Sequence, residues 1–129
     1  MKKCIVVSDS FKGTLSSLDI CAAARRVIPE CFPGCEAVTI PVADGGEGTV
    51  DCFIEAMGAS PVTVEVTGVL GTPVAARYAR LGGLAVVEMA AAAGLPLAGS
   101  TRSPGRATTF GVGELIAHAV RAGCTTVLL

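Results

Sequence analysis

Between an apolar, strand-like run and an amphipathic, helix-like one, the chain carries Pro41-Val42-Ala43-Asp44-Gly45-Gly46-Glu47-Gly48-Thr49, which narrows the fold to one that turns a strand into a helix through a glycine-rich loop. Glycines allow positive φ, so successive amides can turn toward a bound anion. Asp44 and Glu47 bring carboxylates able to hold a divalent cation or accept a proton at the same point. Behind the loop, Val50, Phe53, Ile54 and Met57 follow the i, i+3, i+4, i+7 pattern, which predicts a helix from Thr49 to Met57 with Asp51 and Glu55 facing water. Its positive N-terminal end then points into the same space. Anion, metal and carboxylate chemistry together suit phosphoryl transfer. The alternative is an ordinary βα turn, with Thr49 as N-cap and the glycines only tightening the bend, since the loop is neither a Walker loop nor a dinucleotide fingerprint.

Upstream, Cys4-Ile5-Val6-Val7-Ser8 reads as a buried parallel strand that delivers Asp9-Ser10-Phe11-Lys12-Gly13-Thr14 to its C-terminal edge, the edge at which open α/β sheets bind ligands. A helix from Ser17 to Ile28 follows, capped by Ser16 with Asp19 three residues on and closed by the Pro33-Gly34 turn. Its polar stripe of Asp19, Arg26 and Glu30 is narrow, so most of its surface is expected to be buried. Glu36 to Ile40 is the second strand. Two βα units in succession imply a right-handed parallel arrangement in which the loops 9–16 and 42–48 lie side by side.

From Pro61 the period changes. Val62, Val64 and Val66 alternate with Thr63, Glu65 and Thr67, then Gly71-Thr72-Pro73 turns into a strand from Val74 to Leu81, and Gly82-Gly83 turns again into Leu84 to Glu88. This is an antiparallel meander, and the change over residues 61–73 can mark a subdomain. Met89 to Gly94 is a short small-residue segment and Leu95 to Arg106 a loop. Thr108-Thr109-Phe110-Gly111-Val112-Gly113-Glu114 opens a last helix with Val112, Leu115, Ile116, Ala119 and Val120 as its core stripe and Gly123 as stop. Thr109 and Gly111 make its start a second candidate anion site; the alternative is a capped helix with glycines for close packing. His118 shares the outer face with Glu114 and Arg121 and reads as solvated. Cys124 to Leu129 is an apolar strand at which the sequence stops, where a parallel strand would continue into loop and helix, so a longer chain is expected.

The fold class expected is therefore α/β: Rossmann-like βα units with a mostly parallel sheet, then a short antiparallel meander, as a fragment of a longer chain. With 129 residues, 51% of them apolar and only 4% aromatic, a packed core of short helices on a sheet is within reach. A net charge of -1 offers no basic footprint for nucleic acid or an anionic membrane. No apolar run reaches the roughly 18 residues a membrane span requires, and the expected compartment is the cytoplasm. Cys4, Cys21, Cys52 and Cys124 sit within apolar stretches and read as buried thiols; Cys31 and Cys35 flank a turn without a CxxC pair, against a zinc site.

Ser8-Asp9-Ser10-Phe11-Lys12-Gly13-Thr14-Leu15-Ser16 together with Pro41 to Thr49, and then Val66-Thr67-Gly68-Val69-Leu70-Gly71, Val87-Glu88-Met89-Ala90-Ala91-Ala92-Ala93-Gly94-Leu95 and Thr108 to Ile116, resemble in the same order the bacterial glycerate kinase family of the glycerate 2-kinase type. The resemblance covers essentially the whole sequence. It implies a longer, two-domain α/β chain that phosphorylates D-glycerate with ATP and Mg²⁺. It also implies a further glycine-rich segment after Leu129, so this stretch alone is expected to be inactive. A non-catalytic anion-binding module and a kinase for another small hydroxy acid remain the competing readings.

Kinase chemistry needs an orienting base, a cation on the phosphates and positive charge for the developing negative oxygens. Asp44, at a strand end beside the glycine pair, is the first candidate for the base or a metal-linked carboxylate. Glu47 is the candidate metal ligand, and its alternative is a first-turn carboxylate favouring the helix dipole. Lys12 can hold the glycerate carboxylate or a phosphate as a point charge. Asp9 can pair with Lys12 or bind metal, Ser10 can donate to substrate, and Gly45, Gly46, Thr109 and Gly111 complete the substrate and phosphate set. Glu88, at a strand end, is a weaker candidate.

Overall fold

The computed structural model describes residues 2–11, 13–100 and 103–129, and the chain divides between Asp44 and Gly45, inside the glycine-rich loop itself. In the first unit β1 (Lys2–Ser8), α1 (Ser17–Cys31) and β2 (Cys35–Pro41) make one β-α-β turn, with β1 and β2 parallel in a register running from Lys2↔Cys35 to Ser8↔Pro41. Residues Cys4 to Val7 and Val38 to Ile40 are β-branched or apolar, which suits a pleated strand, and the helix between them returns the chain to start a parallel neighbour. The N-terminus of α1 is the expected capping box: the Asp19 amide donates to Ser16 Oγ at 3.1 Å, and the Ser16 amide donates back to the Asp19 carboxylate at 3.1 Å. These bonds from Ser16 hold the Asp19 carboxyl below its usual range.

Burial in this unit departs from the sequence expectation. Only Ser17 and Cys21 of α1 are buried, and Ala22, Ala23, Arg25, Arg26 and Val27 are exposed. The sheet beneath is two strands wide, so it can cover only a narrow stripe of helix. The strand expected to be buried is likewise covered on one face alone: Cys4 and Val6 are half-buried, while Ile5 and Val7 are 60% and 58% exposed.

The second unit holds α2 (Thr49–Met57), β3 (Ser60–Thr67), β4 (Pro73–Leu81), β5 (Leu84–Val87), α3 (Ala90–Ala93), α4 (Phe110–Arg121) and β6 (Thr126–Leu128), with short 3-10 turns at Leu95–Ala98 and Pro104–Arg106. Its sheet has the order β3-β4-β5-β6; β3, β4 and β5 form the antiparallel meander, and β6 joins β5 in parallel. Alternation along the strands sorts the core. Val66, Ala76, Tyr78, Ala85 and Val87 face α3 and α4, where they meet Ala92, Val112, Leu115 and Ala119. Ala79 and Val86 point the other way, onto Val50, Phe53 and Ile54 of α2. The remaining part of that face is polar, with Thr63, Glu65 and Arg77 exposed and Arg77 paired with Asp51.

Three details differ from the sequence reading. Val120 lies on the open side of α4 and is exposed, so the core stripe is Val112, Leu115 and Ala119 with Ile116 beside it. Strand β6 is an edge strand with Thr126 and Leu128 exposed. Of the four cysteines expected inside, Cys21, Cys52 and Cys124 are buried and Cys4 is half-buried; among the described residues no disulfide joins the cysteines. No helix among the described residues is long and apolar enough to cross a membrane.

Candidate functional site

Parallel pairing in register puts Ser8 beside Pro41, so the loops after β1 and β2 leave the first unit's sheet from one edge, as the sequence implied. A single buried hydroxyl ties the two exits together. Ser17 Oγ donates to the Ser8 carbonyl at 2.6 Å and accepts from the Val42 amide at 3.1 Å. Sequence reasoning treated Ser17 only as the first residue of α1; a hydroxyl at the first helical position after a capping serine was the available signal. Beyond this clasp, the Ser10 amide donates to Asp9 Oδ1 at 2.6 Å, and the Phe11 carbonyl collects the Thr14 amide and hydroxyl at 2.8 and 2.7 Å. Lys12, expected to hold substrate or phosphate, lies outside the described residues. Asp44 is exposed at the end of the unit.

The second unit begins with the rest of the loop. Gly45 and Gly48 have φ of 94° and 93°, in the left-handed region that side chains other than glycine rarely adopt, so two of the three glycines are used as the sequence suggested. Gly48, not Thr49, is the N-cap of α2, and it has no side chain to offer the helix amides. Thr49 instead turns back: its amide and hydroxyl donate to the Gly46 carbonyl at 3.3 and 2.9 Å. An acceptor for α2 arrives from far along the chain, where Glu88, just past β5, takes the Val50 amide on Oε2 at 3.1 Å. The positive end of α2, which the sequence offered to a bound anion, is already met by a carboxylate of the protein. Glu47 is exposed.

At the start of α4, Thr109 is the N-cap without a side-chain capping bond, and the Phe110 amide donates to Thr108 Oγ1 at 3.1 Å. Gly111 is buried for a steric reason, since a Cβ there would stand 1.9 Å from the Thr67 carbonyl oxygen. The helix can approach the end of β3 only through a glycine. Three residues on, Glu114 Oε2 accepts the Thr67 amide at 2.6 Å, so α4 is both packed against and bonded to the same strand end. The two glycine-bearing helix starts do not share a layer, because α2 and α4 cover opposite faces of the sheet.

His118 differs from its expected solvated state. It is half-buried, with Nδ1 3.2 Å from the hydroxyl of Tyr78, itself completely buried. Burial, with Cys124 beside it, raises the Tyr78 pKa above the usual tyrosine value, so the phenol keeps its proton and can donate to Nδ1. Glu65, Phe110, Glu114, His118 and Arg121 line a groove of about 600 Å³ between β3 and α4. Among the described residues no three His, Cys, Asp or Glu side chains gather as a metal-holding group.

Comparison with known proteins covers nearly the whole chain. The model of the Glycerate kinase family matches residues 4–129. The chain is 43% identical over 130 residues to a glycerate kinase of Bacillus subtilis (strain 168) and 39% identical over 130 residues to a glycerate 2-kinase of Escherichia coli (strain K12), in each case over 98% of this chain and 34% of the relative. A solved structure of a provisionally named glycerate kinase 2 from Salmonella typhimurium LT2 superposes with a TM-score of 0.73 at 39% identity, covering 98% of this chain and 35% of that one. The chain therefore spans about a third of the length of the relatives it matches.

Proposed function

Because this chain belongs to the glycerate kinase family, we propose that the full-length enzyme carrying it transfers the γ-phosphoryl group of ATP to D-glycerate, with Mg²⁺ as cofactor, to form 2-phosphoglycerate. The name of the relative from Escherichia coli, glycerate 2-kinase, supports that product. The observation that carries the reading is the clasp at Ser17, which holds together the exits of two polar loops at one sheet edge, one with Asp9 and Ser10 and the other with Asp44. Ligands of open α/β sheets bind at the carboxyl ends of the strands, which supports this reading. The cytoplasm, where ATP is supplied, is the expected compartment.

In this reading Asp44 takes the proton of the attacking glycerate hydroxyl as its oxygen bonds to the γ-phosphorus and the bond to the bridging oxygen of ADP breaks. Ser10 and Asp9 orient the acceptor, and Lys12 neutralises a carboxylate or phosphate. With the amide end of α2 already met by Glu88, the phosphates fall to the backbone of Gly45 and Gly46. Asp44 and Glu47 are hard oxygen donors of the kind Mg²⁺ takes, one or two at a time with water and phosphate completing the shell. When bound, Mg²⁺ would offset the charge of the β- and γ-phosphates.

The test is an ATP-to-ADP assay with D-glycerate and Mg²⁺ on the full-length chain beside this 129-residue one, with the phosphorylated product identified by NMR. Turnover in the longer chain is expected; its absence overturns the kinase reading. Asp44→Asn should lower kcat on the order of 10²-fold while leaving KM nearly unchanged. A kcat close to wild type removes Asp44 from the role of base.

A further inference from the structure

We propose that Glu88 is the positioning residue of the Gly45–Gly48 loop: its carboxylate fixes the first turn of α2 and, through it, the conformation of the loop that precedes the helix. The consequence for turnover rests on the kinase reading above; the anchoring itself does not.

The start of α2 lacks a local cap. The first amides of any helix have no partner within it and normally find one in a side chain at the N-cap, but here the N-cap is Gly48. The Thr49 hydroxyl, next in line, turns back to donate to the Gly46 carbonyl, and no side-chain capping bond forms at this helix start. Val50 is 1% exposed, so its amide cannot rely on water and would be costly to leave unmatched. Glu88 supplies the missing acceptor, and as a carboxylate it also sets a negative charge on the positive end of the helix.

Glu88 is well placed to hold rather than follow. It comes directly after Val87, buried at the end of β5, and its own carbonyl accepts the Ala91 amide at 3.2 Å as α3 begins. Val86 of β5 and Val50 of α2 belong to one apolar cluster, which brings the two backbones close enough for the side chain to span the gap. From Glu88 the bonding runs on without a break: carboxylate to the Val50 amide, then the adjoining Thr49 through its amide and hydroxyl to the Gly46 carbonyl. Between these points sits Gly48 at positive φ, with Gly45 at the loop's other end, two positions of high backbone freedom in the unfolded chain. Glu88 ties this loop, through the first turn of α2, to the end of β5.

Amide hydrogen exchange by NMR on the 129-residue chain decides the anchor. Glu88→Ala should speed exchange at Val50 on the order of tenfold, the loss of one hydrogen bond to a charged group, with shifted Gly46 and Gly48 resonances and no change at Leu115 in α4. Glu88→Gln, which keeps an acceptor without the charge, should fall between Ala and wild type. Val50 exchange that is unchanged, or that rises only in step with Leu115, overturns the proposal. In the full-length enzyme, Glu88→Ala should lower kcat on the order of tenfold or more, with partial recovery in Glu88→Gln and the melting temperatures of the two variants alike. Lost Val50 protection with wild-type kcat overturns the role in turnover. A full-length wild type without phosphoryl transfer would sink the kinase reading alone, and the exchange result would still decide the anchor.

Discussion

The first unit presents its apolar residues on a two-stranded sheet covered on one side, whereas the second closes a four-stranded sheet between helices on both faces. Tyr78, Leu115 and Ala119 of the second are wholly buried, and in the first Ile5 and Val7 are more than half exposed. Similar sequence patterns underlie both, since each has β-branched strands and amphipathic helices. The difference is sheet width. A helix on two strands buries one narrow stripe, while a helix crossing three or four strands buries a full face. Stability in this protein should therefore be concentrated in the second unit, and substitutions offer ways to test that contrast.

The largest effect is expected in the second unit's core. Leu115→Ala removes a wholly buried side chain between α4 and the sheet and should cost about 2–5 kcal/mol, read by denaturant unfolding. A cost below about 1 kcal/mol, the range of surface changes, would mean that the core is not closed there.

In the first unit the strongest feature is local. Ser16→Ala removes half of the capping box and should cost about 1 kcal/mol, seen as faster amide exchange in the first turn of α1 with little change in α4. The same box carries a pH signature. The folded Asp19 carboxyl has a lowered pKa, so its contribution is present above the pKa of the unfolded chain and is lost as pH falls through the folded value. Amide exchange in the first turn of α1, relative to its intrinsic rate, should quicken as pH falls through that folded value.

Tyr78 gives the opposite signature. Its pKa is raised, so the folded state holds its proton longer than the unfolded chain does, and stability should fall as pH rises above about 10. Tyr78→Phe should remove most of that alkaline loss and cost about 1 kcal/mol at neutral pH, the worth of one hydrogen bond, here to His118. An alkaline profile unchanged in the variant would assign the loss elsewhere.

The smallest effect is expected at the open sheet face. Ile5→Thr should change stability by no more than about 0.5 kcal/mol in this chain, because the side chain is already exposed. A cost as large as that of Leu115→Ala would show that the face is covered in solution and would remove the contrast between the two units.

Much of this fold was legible in the sequence wherever the signal is local. The i, i+3, i+4, i+7 spacing from Val50 predicted α2 with the bounds it has, Thr49–Met57, and Ser16 with Asp19 announced the start of α1. Strict alternation from Val62 with the Gly82-Gly83 turn predicted the meander. The candidate site was legible only in part. Asp9, Ser10, Asp44 and Glu47 could be placed at strand ends and a helix start from the pattern alone, and the pairing of β1 with β2 sends the two loops from one edge. What pattern could not show is which distant group meets which amide. Glu88 stands 38 residues from Val50, and Glu114 stands 47 from Thr67. His118, read from helical spacing as solvated, is held by Tyr78 from a strand 40 residues earlier.

The sequence by itself determined the order of elements, the caps, the turns and which face of each strand is apolar, because each depends on residues within a few positions of one another. Only the tertiary structure decided how much of α1 and β1 is covered, why Gly111 must lack a side chain, and that the amide end of α2 is met by Glu88. Those outcomes depend on sheet width and on contacts between segments far apart in the chain, where the free energy of a buried amide or a close backbone approach is set by whatever the fold brings beside it.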